Sequence, residues 1–247
     1  MPIMLTWNMQ GGQGNMESKW STLSGVITNP NNYGLTESPT VVFLQECSDV
    51  PNATRPAGWA AVPAGLVGVS TMLKNFGSAM RPKNYFVAHH IWGAVNNRVS
   101  FSVLMAYPGA VADWTANVRL INPVPAAAGT RPILGVLRNP GLVNAATYFS
   151  MHAPSGVVVA FSNTYVNGMI GAAIGAGSYV IGGDFNCEPG NLVIAAPNVL
   201  SHSGQPTHGQ SNYDYFASNN SAAHGTQLAN ARRIGIMSDH TGVVANF

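Results

Sequence analysis

Short extended segments dominate this chain, and they limit its fold more than any other feature of the sequence. Helices are predicted only at Met16–Thr28 and, weakened by glycine, at about 163–176. Many strands and few helices favour an α/β fold of packed sheets flanked by helices. The predicted strands are rich in β-branched or aromatic residues; they cover 3–7, 41–44, 85–88, 99–105, 133–137, 146–151, 179–182, 213–216 and 242–244.

Acidic residues are scarce, and three of them lie in short motifs next to these segments. Asp and Glu together number 9 among 247 residues, and charged residues make up 8% of the chain, against about 25% in an average domain. Glu46 and Asp184 each follow a predicted strand, and Asp239 precedes one. Acids that served solubility alone would be scattered over turns and helix faces. Their positions therefore indicate a functional site.

Other polar residues share this position after a predicted strand. Asn8 follows the first strand, His152 follows segment 146–151, and Asn186 lies two residues after Asp184. If these strands run parallel and side by side, their carboxyl ends share one edge of a sheet, where open α/β sheets tend to place ligands. The sequence therefore predicts a single rim of polar groups.

This rim needs a cation if its carboxylates converge. Two carboxylates about 4 Å apart repel by roughly 4 kcal/mol at an effective dielectric of 20, so Glu46, Asp184 and Asp239 can meet only with protons or a cation between them. Oxygen ligands from Glu46, Asp239 and the amide of Asn8 suit Mg²⁺. Zinc is disfavoured, because no close pair of His or Cys has the spacing of zinc ligands. These residues indicate a metal-assisted phosphodiesterase.

Composition predicts one compact domain over residues 1–247. Hydrophobic residues make up 46% of the chain, which is enough for one sizeable core, and no linker or charge run divides the sequence. The net charge is +2, short of the polybasic balance that by itself indicates nucleic-acid binding. An anionic partner would have to be held by a few well-placed arginines.

Neither a membrane span nor a signal peptide is predicted. The longest weakly polar stretch, 157–183, is interrupted by Ser, Asn and Thr and is rich in glycine, so it does not fit a membrane span. The chain opens with Met1, Pro2 and Ile3 and enters a predicted strand without a basic start or an apolar core. We expect either that export is absent or that a leader has been removed.

The cysteines leave two alternatives open. Cys47 and Cys187 each follow a motif residue, and they form either two buried thiols or one bridge near the site.

Two histidine pairs invite a metal interpretation. His89 with His90, and His202 with His208, are close in sequence but have no cysteine or acidic neighbours. We therefore interpret all four as surface or loop residues.

Seven short blocks stand in order along the chain: 6–11, 43–46, 97–99, 131–135, 151–153, 183–189 and 238–240. Together they resemble the endonuclease/exonuclease/phosphatase superfamily, and most of all its branch of catalytic B subunits of cytolethal distending toxins. Gly-Asp-Phe-Asn or Ser-Asp-His alone would be a weak signal, but the likeness extends from about residue 5 to residue 244. It implies a DNase I-like fold, a four-layer sandwich of two packed mixed β-sheets flanked by helices.

The resemblance implies how a metal and an attacking water would be held. Glu46 is expected to be the principal Mg²⁺ ligand, assisted by Asn8 and Asp239, with Mn²⁺ or Ca²⁺ as partial substitutes. Asp184 is expected to orient or deprotonate the water, and Asn186 to hold the water and a phosphoryl oxygen. Groups of this acid–base kind contribute about 10² to 10⁴ in rate.

The resemblance also implies how the phosphate is bound. His152 and His240 are expected to donate hydrogen bonds to the scissile phosphate or to protonate the leaving oxygen. Asp239 and Asp214 complete the catalytic set, with Asp214 as the carboxylate that orients His240. Arg98 and Arg131 match positions expected to grip DNA phosphates.

Some positions depart from the pattern of the superfamily. Gln10 stands where abasic-site nucleases place an Asp, although the toxin branch also has Gln there. Cys187 stands where the toxin proteins usually carry Arg, which removes a phosphate contact. The sequence offers no carboxylate partner for His152.

The function implied is that of a Mg²⁺-dependent DNA endonuclease of low sequence specificity, the catalytic subunit of a secreted genotoxin that acts in the host cell nucleus. Its implied partners are DNA and the delivery or binding subunits of a toxin complex. Two alternatives remain: a phosphoinositide phosphatase, because the same chemistry serves both substrates, and a catalytically silent binding module. The intact set of site residues disfavours the silent module.

Overall fold

Strands in two sheets make up most of the part of the chain that the structure describes. The computed structural model describes residues 3–10, 16–48, 66, 68–91, 100–106, 115–122, 131–138, 145–155, 170, 177–192, 199–219 and 231–246. These residues include helix α1, Met16–Thr28, and short 3₁₀ helices at Pro30–Tyr33 and Pro189–Asn191. The strands are β1 Ile3–Asn8, β2 Val41–Gln45, β3 Val69–Asn75, β4 Asn84–Ile91, β5 Ser100–Ala106, β6 Val118–Ile121, β7 Ile133–Arg138, β8 Ala146–His152, β9 Ser178–Asp184, β10 Val199–Ser201, β11 Asp214–Ser218, β12 Arg232–Met237 and β13 Thr241–Asn246.

The strands form two mixed β-sheets. The first sheet has the order β12-β13-β1-β2-β5-β4-β3, and the second has the order β10-β11-β9-β8-β7-β6. Each sheet contains one parallel pair at its centre, β1 with β2 in the first sheet and β8 with β9 in the second. All other pairs among the described strands are antiparallel. The predicted fold of two packed mixed sheets is confirmed.

The two sheets pack face to face through large apolar side chains. Phe43 of the first sheet stacks on Tyr148 of the second, with ring centroids 6.5 Å apart, and meets Phe216 edge to face at 6.1 Å. Gly182 makes this contact close, because a Cβ atom there would lie well inside the contact distance of the Phe43 ring. The face between the sheets is therefore an apolar core of aromatic and branched residues.

Helix α1 covers the outer face of the first sheet. Trp20, Leu23 and Ile27 recur at helical spacing and are buried in one cluster with residues of β1 and β2. The outer face of the second sheet is also buried, around the stacked pair Phe185 and Tyr215, whose ring centroids are 4.0 Å apart. The second predicted helix, 163–176, falls almost wholly outside the described residues. Both sheets thus have apolar residues on both faces, as strands central to a layered fold require.

A polar bridge joins the sheets beside the ends of their parallel pairs. The Gln45 amide donates to Ser150 Oγ at 3.0 Å and to the Gly182 carbonyl at 3.4 Å, and Ser150 Oγ donates to the Leu44 carbonyl at 2.9 Å. This bridge fixes the end of β2 against the ends of β8 and β9. The predicted single sheet edge is therefore wrong: the polar rim is built from two edges, one from each sheet, because a pair of parallel strands lies in each.

Two histidines and both cysteines are buried. His89 and His90 lie in β4 and are 3% and 2% exposed, so their interpretation as surface or loop residues is wrong. Cys47 and Cys187 are both buried thiols, which confirms the first of the two alternatives. Cys47 packs in the core under α1, whereas Cys187 packs on the outer face of the second sheet. Among the residues that the structure describes, no helix is long and apolar enough to cross a membrane.

Candidate active site

The ends of the two parallel pairs bring the predicted site residues together. Asn8 is the last residue of β1, His152 the last of β8 and Asp184 the last of β9. Glu46 follows β2 directly. The sequence places Asn8 and His152 directly after their predicted strands, whereas the structure makes them the last residues of those strands. Both residues are at the carboxyl end of the strand in either case. Because the sheets are stacked, these side chains converge between the two sheets.

Asp184 lies at the centre of the site and is completely surrounded. Its Oδ2 accepts a hydrogen bond from Asn8 Nδ2 at 3.0 Å, and its Oδ1 accepts one from the Asn186 backbone N–H at 2.9 Å. His152 Nε2 lies 3.5 Å and His240 Nε2 3.7 Å from Asp184 Oδ2. The side chain is only 2% exposed. One carboxylate therefore links both predicted catalytic histidines.

His240 contacts Asp214 through its Nδ1 atom. Asp214 begins β11 and pairs across the sheet with Asp184. His240 Nδ1 donates to Asp214 Oδ2 at 2.7 Å, and Asp214 has no exposed surface. The Thr207 hydroxyl oxygen accepts from the Asp214 N–H at 3.0 Å, which holds the start of the strand. This arrangement fixes the ring of His240 and leaves its Nε2 facing Asp184.

The buried charges shift the pKa values of this pair in directions that suit acid–base chemistry. Burial and the charge of Asp214 raise the pKa of Asp184 to about 7, although His240 and the hydrogen bonds from Asn186 and Asn8 oppose the shift. Burial alone would lower the pKa of His240, but the hydrogen bond to Asp214 and the charges of Asp214, Asp184 and Asp239 raise it to about 9. Near neutral pH the site thus holds a carboxylate poised to take a proton next to an imidazolium that can give one.

Glu46 reaches the same site from the opposite sheet. Its Oε1 lies 3.8 Å from His152 Nε2, so that a single nitrogen contacts both Glu46 and Asp184. No carboxylate partner for His152 could be found in the sequence, and the structure provides these two. Glu46 has a φ of 47°, and Gln10 and Asn186 also have positive φ, at 51° and 49°. Backbone strain of this kind gathers at functional sites, where the fold over-determines the conformation.

Asp239 lies at the exposed side of the site. Its Oδ1 is 4.0 Å from His240 Nε2, and its side chain is 35% exposed. Ser238 holds this corner, because its Oγ donates to the Asn8 carbonyl at 2.7 Å. The negative charges of Asp239 and Glu46 both favour the charged form of the Lys19 ammonium. This ammonium donates hydrogen bonds to the Met9 and Gln10 carbonyls. Sequence reasoning assigned no site role to Lys19.

The three predicted metal ligands offer oxygen donors only. Glu46 and Asp239 offer carboxylate oxygens, and Asn8 offers its amide oxygen, which accepts the Gln10 N–H at 3.0 Å and keeps a second lone pair. Oxygen donors with two carboxylates suit Mg²⁺ or Ca²⁺ better than a soft metal. These ligands and the identity of the ion remain predictions. The acidic and histidine groups that the described residues bring within 4.8 Å of one another are Asp184, Asp214 and His240, and His208, Asp239 and His240.

His208 is a site residue that sequence reasoning placed in a loop without a role. Its ring stacks on that of His240, and its Nε2 lies 3.6 Å from Asp239 Oδ2. The three residues are close enough to suggest a metal group. However, the two rings lie 17° from parallel, and a metal in the plane of one ring cannot lie in the plane of the other. Stacking, rather than shared coordination, explains the contact. No local sequence signal could have indicated it.

Only one of the two predicted phosphate-binding arginines lies in the part of the chain that the structure describes. Arg98 falls outside the described residues. Arg131 lies two residues before β7, which runs antiparallel to β8 with Leu134 opposite Ser150. Arg131 is therefore at the end of the sheet where His152 lies. Its role in binding phosphate remains a prediction.

Comparison with known proteins agrees with this geometry. The chain matches no protein-family model. It is 24% identical over 261 residues to the B subunit of the cytolethal distending toxin of Escherichia coli, covering 95% of this chain and 87% of that protein. A Salmonella typhi homologue of that toxin protein is 25% identical over 196 residues, covering 76% of this chain and 65% of that homologue.

Solved structures extend the comparison to the fold. The crystal structure of cytolethal distending toxin from Actinobacillus actinomycetemcomitans matches with a TM-score of 0.76 and 17% identity over 99% of this chain and 97% of that chain. An endonuclease/exonuclease/phosphatase family protein from Leptotrichia buccalis matches with a TM-score of 0.62 and 13% identity over 100% and 99% of the two chains.

The fold is the DNase I-like fold of two packed mixed β-sheets, which the chain shares with the endonuclease/exonuclease/phosphatase family protein from Leptotrichia buccalis. In sequence, the chain is similar to the B subunits of cytolethal distending toxins along nearly its whole length. The resemblance seen in the sequence is confirmed.

Proposed function

We propose that this chain is a Mg²⁺-dependent DNA endonuclease of low sequence specificity and the catalytic subunit of a toxin of the cytolethal distending type. The observation that carries the proposal is the continuous row His152, Asp184, His240 and Asp214, in which each side chain contacts the next. Such a row places a base, an acid and an orienting carboxylate at one point. The likeness to toxin B subunits supports DNA as the substrate.

The chain's own residues can perform the proton transfers of phosphodiester hydrolysis. Asp184 accepts the proton of an attacking water, because its raised pKa makes it a base near neutral pH. Protonated His240 donates to the leaving oxygen through Nε2, since Nδ1 is occupied by Asp214. His152 binds the phosphate from the other side of Asp184. Asn186, whose amide donates to the Ala153 carbonyl at 2.6 Å, holds the water and a phosphoryl oxygen.

Glu46, Asp239 and Asn8 would hold the metal ion through their side-chain oxygens. A bound Mg²⁺ supplies a positive charge that stabilises the charge developing on the phosphate. Calorimetric titration with Mg²⁺ is expected to show binding that Glu46→Gln weakens. A wild-type protein that binds no divalent ion would instead favour the silent binding module.

Plasmid nicking tests the reaction directly. Supercoiled plasmid should be nicked in the presence of Mg²⁺, and nicking should stop with a chelator and fall by at least about 10² in His152→Ala and His240→Ala. Glu37→Gln, which changes an exposed acid outside the site, is the control and should nick like the wild type. Variants that nick as fast as the wild type, purified in parallel, would refute the proposal.

A phosphoinositide phosphatase is the second candidate, because the superfamily contains both activities and the row of side chains suits either phosphoester. Arg131 separates the two candidates. If Arg131 binds the DNA backbone, Arg131→Ala reduces DNA cutting while leaving turnover of a soluble phosphoinositide unchanged. Loss of phosphoinositide turnover without loss of nicking would favour the phosphatase.

Few basic residues are available for DNA, since Lys and Arg together number 11 in the chain. Each neutralised phosphate contributes about 0.9 to the slope of log affinity against log salt, so we expect a shallow slope. Delivery or binding subunits, secretion and action in a host nucleus belong to the same proposal and rest on the likeness to toxin B subunits.

A further inference from the structure

Two neighbouring residues of helix α1 hold the turns that follow β1 and β2. The Lys19 ammonium donates to the Met9 and Gln10 carbonyls, both in the turn after β1. The Trp20 indole N–H donates to the Cys47 carbonyl at 3.2 Å, in the turn after β2. These two strands form the parallel pair of the first sheet, whose ends carry site residues. The contact made by Lys19 leads further into the site.

The turn after β1 contains a strained residue that Lys19 helps to hold. Gln10 has a φ of 51°, in the left-handed region, which costs energy for a residue with a side chain. Hydrogen bonds hold Gln10 on both sides: its N–H donates to Asn8 Oδ1 at 3.0 Å, and its carbonyl accepts from Lys19 Nζ at 3.2 Å. Removing the ammonium therefore takes away one of the contacts that keep this residue in its left-handed conformation.

The Gln10 N–H in turn determines how the Asn8 amide is oriented. An N–H can only donate, so the amide atom that it contacts must be the oxygen, and the NH₂ group must point the other way. That group donates to Asp184 Oδ2 at 3.0 Å. Asn8 and Asp184 are 2% and 1% exposed, so water cannot readily replace this hydrogen bond if it is lost. Hydrogen bonds thus connect Lys19, in α1, with Asp184, the expected base.

Lys19 also brings a positive charge to the acidic groups of the site. Burial lowers the pKa of Lys19, whereas the charges of Asp239 and Glu46 raise it. The side chain is half-buried, so water screens its charge only in part. An ammonium has three N–H donors, which allow one side chain to bond two carbonyls. Arginine also offers charge and several donors, whereas an apolar side chain of similar length offers neither.

We propose that Lys19 is a positioning residue of the active site, which holds the turn after β1 so that Asn8 donates to Asp184; its effect on rate rests on the proposed nuclease function. Lys19 acts on Asp184 through two other residues and is not required to touch DNA. Its loss should therefore lower kcat and leave the KM for DNA unchanged. A small misplacement of the reacting groups can cost up to about 10² in rate.

Steady-state nicking of supercoiled plasmid in Mg²⁺ tests the effect on rate. Lys19→Met keeps an apolar stem but loses the charge and the donors, and its kcat should fall by about 10 to 10² at unchanged KM. Lys19→Arg should recover most of the loss. Lys74→Met is the matched control and should nick like the wild type, because Lys74 is also half-buried but lies over the Phe76 ring, towards the end of β3 away from the site. A wild-type kcat for Lys19→Met, or a rise in KM alone, would overturn the proposal.

A second measurement needs neither DNA nor catalysis. In NMR spectra of the metal-free protein, the side-chain NH₂ resonances of Asn8 report the hydrogen bond to Asp184, and Asn8→Ser identifies them by their loss. Lys19→Met should shift these resonances, whereas Lys19→Arg and Lys74→Met should leave them in place. If Lys19→Met does not fold, Lys19→Gln, which is shorter and uncharged, takes its place with the same expected shift.

Unchanged Asn8 resonances would overturn the positioning role of Lys19 whatever the nicking rate. If the wild type cuts no DNA, the proposed nuclease function fails, and the resonances of Asn8 alone decide whether Lys19 holds the turn after β1.

Discussion

The imidazole of His208 lies face to face with the imidazole of His240, with ring centroids 4.3 Å apart. Residues 208 and 240 also form an isolated backbone bridge, and the Thr241 N–H donates to the Thr207 carbonyl at 2.8 Å. His240 is thus fixed by Asp214 at Nδ1 and by a neighbouring ring on one face. We therefore expect His208 to act as a positioning residue for His240.

Replacing His208 should separate stacking from charge. His208→Ala removes the ring and is expected to lower kcat for plasmid nicking by about tenfold, the scale of a small misplacement of an acid–base group. His208→Phe keeps a ring and should recover most of the loss, although it cannot pair with Asp239. Proton NMR of the His240 Nδ1–H should show a shift in the alanine variant and little change in the phenylalanine variant. If phenylalanine is as damaging as alanine, the contact with Asp239 matters and the stacking does not.

Asp214 should be as important as the histidine that it orients. Asp214→Asn can donate to His240 Nδ1, which favours the tautomer with the proton on Nε2 and removes the charge that stabilises the imidazolium. We expect nicking to fall by about 10² to 10⁴. The double variant with His240→Ala should be no slower than His240→Ala alone, because the two residues act as a unit. Additive losses measured by single-turnover kinetics would show that Asp214 acts independently of His240.

The sequence predicted the central strands and missed the edges. Strands β3, β6, β10 and β12 were not predicted, and they are the four edges of the two sheets. Central strands are buried on both faces and appear as continuous apolar runs. Edge strands are short or carry polar and charged residues, as in Val69–Asn75 and Arg232–Met237, because exposed edges must avoid pairing with other chains. Their sequences therefore contain little of the strand pattern.

The same distinction applies to the site. Asn8, Glu46 and Asp184 could be found because each stands at the end of an apolar run in a chain with few acids. The stacking of His208 could not, since it depends on a loop meeting the start of β13. The division of the rim between two sheets was also hidden, because strand order arises from long-range pairing and leaves no mark on any single segment.

Gly183 should tolerate no side chain. A Cβ atom there would overlap the Met151 carbonyl oxygen, which belongs to the neighbouring parallel strand and cannot move independently. Gly183→Ala is expected to destabilise the protein by about 1–3 kcal/mol or more, lowering the thermal midpoint by several degrees. Gly235→Ala is the matched control, because Gly235 lies in β12 and a Cβ atom there meets nothing within 4 Å. Equal midpoints for the two variants in calorimetry would contradict the close approach of β8 and β9.

His90 should make the folded state sensitive to acid. It is 2% exposed, its Nδ1–H donates to the Gly68 carbonyl at 3.1 Å, and burial lowers its pKa below the ordinary value of 6.5. The unfolded chain therefore binds a proton more readily than the folded chain, so the stability that neutral His90 contributes is present above about pH 6.5. It is lost as the pH falls from there through the lowered pKa of the folded state. Thermal midpoints between pH 7.5 and 5 should fall more steeply in the wild type than in His90→Asn, which keeps an N–H donor but cannot be protonated. Parallel slopes for the wild type and His90→Asn would show that His90 does not carry the effect.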